Sequence, residues 1–119
     1  MCKCLEFDFL TTFEKFSNSG YHEFVKGKCN NFGNWEINSL YLDEDLLEEN
    51  QNDSIYNLFN QSIDKYDQFG ISYVDANAWG KMKKISQNGS DNVKKFISEL
   101  NDFAEDAISN QGVFTILGI

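Results

Sequence analysis

The stretch from Asp91 to Ser109 constrains the fold more than any other. Val93, Phe96, Ile97, Leu100, Phe103, Ala104, Ala107 and Ile108 recur at helical spacing and fill an arc of about 140°, with the charged residues on the remainder. A helix patterned this way must lay one side against a hydrophobic partner. Gly112 is placed to stop it, and the run Val113-Phe114-Thr115-Ile116-Leu117 that follows is apolar, β-branched and too short for a helix. That run reads as a buried strand, expected to pair with an N-terminal strand or with the 35–42 region. A long amphipathic helix leading straight into a buried strand requires helices layered on a sheet, so the predicted class is α+β. At 119 residues the chain has room for one domain, 1–119, and one core.

The remaining segments fit that plan. Leu5-Glu6-Phe7-Asp8-Phe9 alternates apolar and acidic residues as a half-buried strand does, and Phe9, Phe13 and Phe16 then switch to helical spacing, which predicts a short helix ending near Gly20. Trp35, Ile37 and Leu40-Tyr41-Leu42 favour strand, with a turn at Asn30-Asn31-Phe32-Gly33, so Tyr21 to Leu42 reads as a hairpin or two irregular strands. Asp53 is a suitable N-cap for a helix whose Ile55, Leu58, Phe59, Ser62, Ile63 and Tyr66 share a side, with Gly70 just past its end. Ile71 to Val74 predicts a short strand. Asp75 then caps a helix carrying Ala78, Trp79, Met82 and Ile85, closed by Gly89. The expected total is about four helices packed on a small sheet that includes the N- and C-terminal strands.

Charge is concentrated in the middle of the chain. The net charge is -9, yet residues 1–35 sum to 0 and residues 68–119 to -1. Residues 36–67 hold Glu36, Asp43, Glu44, Asp45, Glu48, Glu49, Asp53, Asp64 and Asp67 against Lys65 alone, which is -8. Continued as a helix, residues 53–67 would bring Asp53, Asp64 and Asp67 to one side, opposite the apolar stripe and beside Asn57 and Asn60. Such a block is either a solvated face that keeps the protein soluble or a surface that steers a basic partner. Trp35, Tyr41, Tyr56 and Tyr66 lie in or next to it, and aromatics amid charge are the composition of an interface centre with its polar rim. Core packing is the expectation for Trp35 and Tyr66; Tyr41 and Tyr56 fit either role.

Other chemistry is weakly encoded. There is no Arg, the usual bidentate reader of phosphates and bases, so direct nucleic-acid binding is not expected. The Lys81-Lys83-Lys84 cluster and the Lys94-Lys95 pair fall opposite apolar stripes and read as solvated faces. Cys2, Cys4, His22 and Cys29 offer four possible zinc ligands without the spacing of a knuckle. Asp75, Asn77 and Gly80 occupy calcium-loop positions 1, 3 and 6, but Trp79 and Ser86 stand where oxygen ligands are required. His22 and Cys29 are the one base and nucleophile pairing, and nothing in the spacing brings them together. No metal and no cofactor is therefore expected. Three Cys, with no apolar leader at the start, fit free thiols in a reducing cytoplasm, and no run of residues is apolar enough to span a membrane.

A small, acidic, Arg-free α+β chain without catalytic motifs resembles the immunity proteins that bacteria produce beside polymorphic or contact-dependent toxins. The local features are Trp79-Gly80-Lys81-Met82 and the terminal Gly112-Val113-Phe114-Thr115-Ile116-Leu117. The resemblance implies a non-catalytic inhibitor that binds a cationic toxin domain, commonly a nuclease. The residues expected to meet that partner are Asp43, Glu44, Asp45, Glu48, Glu49 and Asp53, with Tyr56, Asp64 and Asp67 extending the contact. Two other functions remain compatible with the residues: a phage-type nucleic-acid mimic, and a small enzyme or metal-binding domain using His22 and Cys29. A structural adaptor or homodimer with an apolar interface is a further one.

Overall fold

The computed structural model describes residues 10–12, 21–29, 39–43 and 54–118. The described chain forms β1 (Leu10–Thr12), β2 (Tyr21–Lys26), β3 (Leu40–Asp43), α1 (Ile55–Ser62), β4 (Ile71–Asp75), α2 (Ala76–Ser86), α3 (Asp91–Gln111) and β5 (Val113–Gly118). The five strands make one sheet in the order β1-β3-β2-β5-β4, every neighbouring pair antiparallel. The α+β class is as expected. Three helices lie among the described residues, and most of the fourth, over 13–20, falls outside them. So does the strand expected at Leu5–Phe9. Leu10–Thr12, where that helix was to begin, is strand instead and pairs with β3.

The terminal strand takes a different place from the one expected. It pairs with β2 on one side and β4 on the other. The reason is burial: Phe114 to Gly118 are all buried, and a strand covered on both faces needs hydrogen-bonding neighbours on both edges as well. Gly112 makes the entry possible. It holds φ 77, donates its N–H to the Ile108 carbonyl at 2.9 Å, and so ends α3 in the left-handed cap that glycine favours. At the strand's other end a Cβ on Gly118 would collide with the Gln68 carbonyl, so close approach of the 66–70 turn depends on glycine there.

Local capping fixes the helices. Ser90 caps α3 by accepting from Val93 N–H at 3.3 Å, and Asp75 caps α2 by accepting from Ala78 N–H at 2.9 Å. At α1 the cap is Ser54, whose Oγ accepts from Asn57 N–H at 3.0 Å, one residue beyond the predicted Asp53.

The core lies between the helices and one side of the sheet. Phe24, at the centre of β2, is fully buried, its ring 6.3 Å from Phe59 of α1, 6.2 Å from Phe96 of α3 and 6.4 Å from Phe114 of β5. Trp79 and Phe103 meet Phe114 edge-on at 6.2 and 5.8 Å. Trp79 is core, as the sequence implied. Its indole N–H donates to Glu105 Oε2 at 2.8 Å, and Lys83 pairs with the same oxygen at 2.9 Å. Those two contacts, the Lys83 bond first, hold the Glu105 carboxyl below its ordinary range. No described helix is long and apolar enough to cross a membrane.

Candidate docking surface

The chain leaves helical geometry earlier than its apolar pattern suggested. Ser62 turns its hydroxyl back to the Leu58 carbonyl at 2.6 Å, Ile63 is extended, and Lys65 adopts φ 61. A left-handed lysine costs about 1 kcal/mol, so something must hold it. Tyr66 does so from the next position: its hydroxyl lies 2.6 Å from His22 Nε2, and its ring packs on Phe59 at 5.3 Å. Asp67 then closes an Asx-turn, its Oδ1 accepting from Phe69 N–H at 3.0 Å, while its own N–H donates to Ser72 Oγ at 3.0 Å. Asp64 and Asp67 therefore sit on an irregular turn and do not share a helix face. Tertiary anchoring of Tyr66 overrides the helical period there.

The turn still gathers part of the acidic block. Strand register puts Asp43 opposite Tyr21, at the end of the sheet where His22 pairs with Gly118. Gln68 passes against Gly118 at that same end, which brings Asp67 there too. Tyr56 is half-buried, its ring edge-on to Tyr66 at 5.9 Å. Asp43, Asp67 and Tyr56 thus belong to one end of the molecule, with Phe69, 68% exposed, beside them. Asp64 lies next to this end and lines an open groove of about 560 Å³ together with Asn60, Lys65, Tyr73, Asn77 and Lys81. Lys26 pairs with Asp106 at 2.7 Å and Lys83 with Glu105 at 2.9 Å, both carboxylates outside the acidic block. Glu44, Asp45, Glu48, Glu49 and Asp53 lie outside the described residues.

Among the described residues, His22 and Cys29 are placed as follows. His22 points to the helix side of β2, stacked on Phe59 at 6.2 Å. Cys29 docks its N–H on Thr115 Oγ1 at 2.9 Å. Thr115 pairs with Val25, whose side chain leaves β2 on the face opposite His22. The His22 ring and the Cys29 backbone thus lie on different sides of the sheet. Among the described residues no three His, Cys, Asp or Glu side chains converge in a metal-binding group, and Cys2 and Cys4 are outside them. Asp75 is engaged as a helix cap rather than as a calcium ligand.

One buried polar contact was not legible in the sequence. Glu23, fully buried on the other face of β2, accepts from the Tyr41 hydroxyl at 3.2 Å through Oε2, while Oε1 has no hydrogen-bond partner among the described residues. Burial, and then the Glu23 charge, push the Tyr41 hydroxyl well above its usual pKa. The available signal was Glu23 set between Tyr21 and the apolar Phe24 and Val25. Tyr41→Phe withdraws this donor and is expected to destabilise the fold by about 2 kcal/mol. Urea titration checks this, and adding Glu23→Gln should lessen the loss, because a neutral amide is less costly to leave unpaired than a carboxylate. Comparison with protein-family models, with curated proteins and with solved structures found no match to this chain.

Proposed function

We propose that this chain is a non-catalytic inhibitor that binds and neutralises a basic protein partner, a toxin domain of the nuclease kind, through its acidic surface. The observation that carries the reading is the grouping of Asp43, Asp67 and the half-buried Tyr56 at one end of the sheet, with Asp64 adjacent. These belong to the 36–67 stretch that holds -8 of the net -9. An aromatic ring flanked by carboxylates suits a partner whose own site is built to attract phosphates, because the same lysines and arginines that hold phosphate will hold carboxylate. Such charges act mainly on the rate of encounter.

The test is affinity capture from source cells, followed by stopped-flow binding of the captured protein. The expected partner is basic, loses its activity when the chain is added, and associates roughly 10-fold more slowly as salt rises from about 20 to about 200 mM. Combined Asp43→Asn, Asp64→Asn and Asp67→Asn substitution should slow association several-fold with little change in dissociation. A partner without basic character, or an association rate indifferent to salt, would overturn the proposal.

A further inference from the structure

We infer that Phe69 is the apolar anchor of the docking surface, and that the partner carries an apolar pocket for this ring framed by lysines and arginines. The inference rests on the inhibitory reading above and extends it from charge to shape. Two large hydrophobic side chains stand exposed among the described residues, Phe69 at 68% and Tyr73 at 40%. Tyr73 already has Lys28 Nζ over its ring, 5.2 Å from the centroid. A lone exposed aromatic is ordinary on a protein surface. What sets Phe69 apart is how its backbone is held and what surrounds it.

The turn under Phe69 is clamped at both ends. Before it, the Tyr66 hydroxyl meets His22 Nε2 of β2 at 2.6 Å; after it, the Gly70 carbonyl accepts from the Gly118 N–H of β5 at 2.8 Å. His22 and Gly118 are cross-strand partners, so residues 67–69 bridge a gap that the sheet itself fixes. Within the bridge, Asp67 Oδ1 accepts from the Phe69 N–H at 3.0 Å, and the Asp67 carbonyl accepts from the Gly70 N–H at 3.3 Å. Ser72 Oγ accepts from the Asp67 N–H at 3.0 Å. The direction in which Phe69 leaves the backbone is therefore set before any partner arrives. The ordering cost that a mobile loop would incur on binding is absent, which lets the area buried by the ring appear as affinity.

Charge selects the chemistry of the pocket. Asp43 and Asp67 share this end of the sheet and Asp64 lies next to it, against Lys65 in the same turn. An apolar projection within a charged rim is the composition of an interface hot spot. A neutral apolar groove would take the ring but strip water from the carboxylates without pairing them. A flat basic surface would pair the carboxylates and leave the ring unpacked. A pocket rimmed by lysine and arginine answers both, and an arginine laid over the ring adds cation–π attraction. The two parts then act on different rates: the carboxylates on encounter, the ring on release.

Stopped-flow association and dissociation of the full chain with the captured basic partner test this. Phe69→Ala should raise the dissociation rate at least about 30-fold while the association rate stays within about 2-fold and keeps its salt dependence. Its urea midpoint should match wild type, since the ring is outside the core. Phe69→Glu separates shape from charge: a surface acting by charge alone would bind it faster and hold it as long, whereas loss of the anchor releases it at least as fast as the alanine variant. Asp67→Asn keeps an oxygen for the Phe69 N–H and should slow association only; Asp67→Ala frees the turn and should also speed dissociation several-fold. Unchanged dissociation of Phe69→Ala, with association still falling as salt rises, would overturn the anchor and leave the acidic reading in place. An association rate indifferent to salt would remove that reading, and with it the basic frame of the pocket.

Discussion

Phe24→Ala is expected to destabilise the protein by about 4 kcal/mol, the largest loss from any single truncation considered for this fold. The ring lies on β2, which has hydrogen-bonded neighbours on both edges, and it is fully buried. Among the described residues its aromatic neighbours belong to α1, α3 and β5. Removing it leaves a void whose walls sit on separate elements, each held by its own contacts. Phe114, for instance, is also pinned by Trp79 and Phe103. The void cannot close without moving several elements together, so the cavity contribution adds to the lost transfer free energy. For a domain whose total stability is about 5–15 kcal/mol, this leaves a marginal fold. Urea titration at neutral pH should show the midpoint falling with the slope unchanged, and thermal melting a drop of about 20 °C. Phe24→Leu, which refills most of the volume, should lose less than half as much. A loss below about 1 kcal/mol for the alanine variant would mean that the core is not organised round this ring.

Much of the architecture was readable because periodicity and capping residues coincide. Over 91–111 the apolar arc, the glycine stop and the β-branched run give one answer, and that answer holds. Asp75 as cap and Trp79 as core follow from the same agreement between local chemistry and pattern. Two features were not readable, for different reasons. The position of β5 depends on which strands accept its two edges, and apolar content indicates burial without naming neighbours. The early end of α1 depends on Tyr66, whose partner His22 is 44 residues away, so the apolar stripe ran through a turn that tertiary contact imposes. That error reaches the candidate site. Charge counting located the acidic stretch, but helical angles assigned Asp64 and Asp67 to a shared face, whereas a turn carries them to the end of the sheet and to the rim of the groove.

The same His22 gives the molecule a pH dependence that can be read from a single residue, because the chain contains one histidine. His22 is 2% exposed, lies flat against Phe59, and meets the Tyr66 hydroxyl through Nε2. Among the described residues Nδ1 has no well-formed hydrogen-bond partner. A protonated ring needs acceptors at both nitrogens, and here the second N–H would have only the weak approach of the Tyr21 backbone. Burial lowers the pKa from 6.5 to about 4, and the Tyr21 backbone opposes this too weakly to offset it. In the unfolded chain the imidazole titrates at its ordinary value, so between about pH 6.5 and about pH 4 the unfolded state binds more protons than the folded one. Stability from this group is therefore fully present above pH 6.5 and is lost as the pH falls through that window. The shift corresponds to a loss of about 3 kcal/mol. Carboxylates also titrate toward the lower end of the window, so the measurement is the difference between wild type and His22→Gln in urea midpoint from pH 7.5 down to pH 4. The glutamine variant is expected to be less stable at neutral pH and nearly flat between pH 6.5 and 5, where wild type already declines. Parallel curves for the two proteins would mean that the ring is protonated as easily inside the fold as in water, and that its contact with Tyr66 does not hold it neutral.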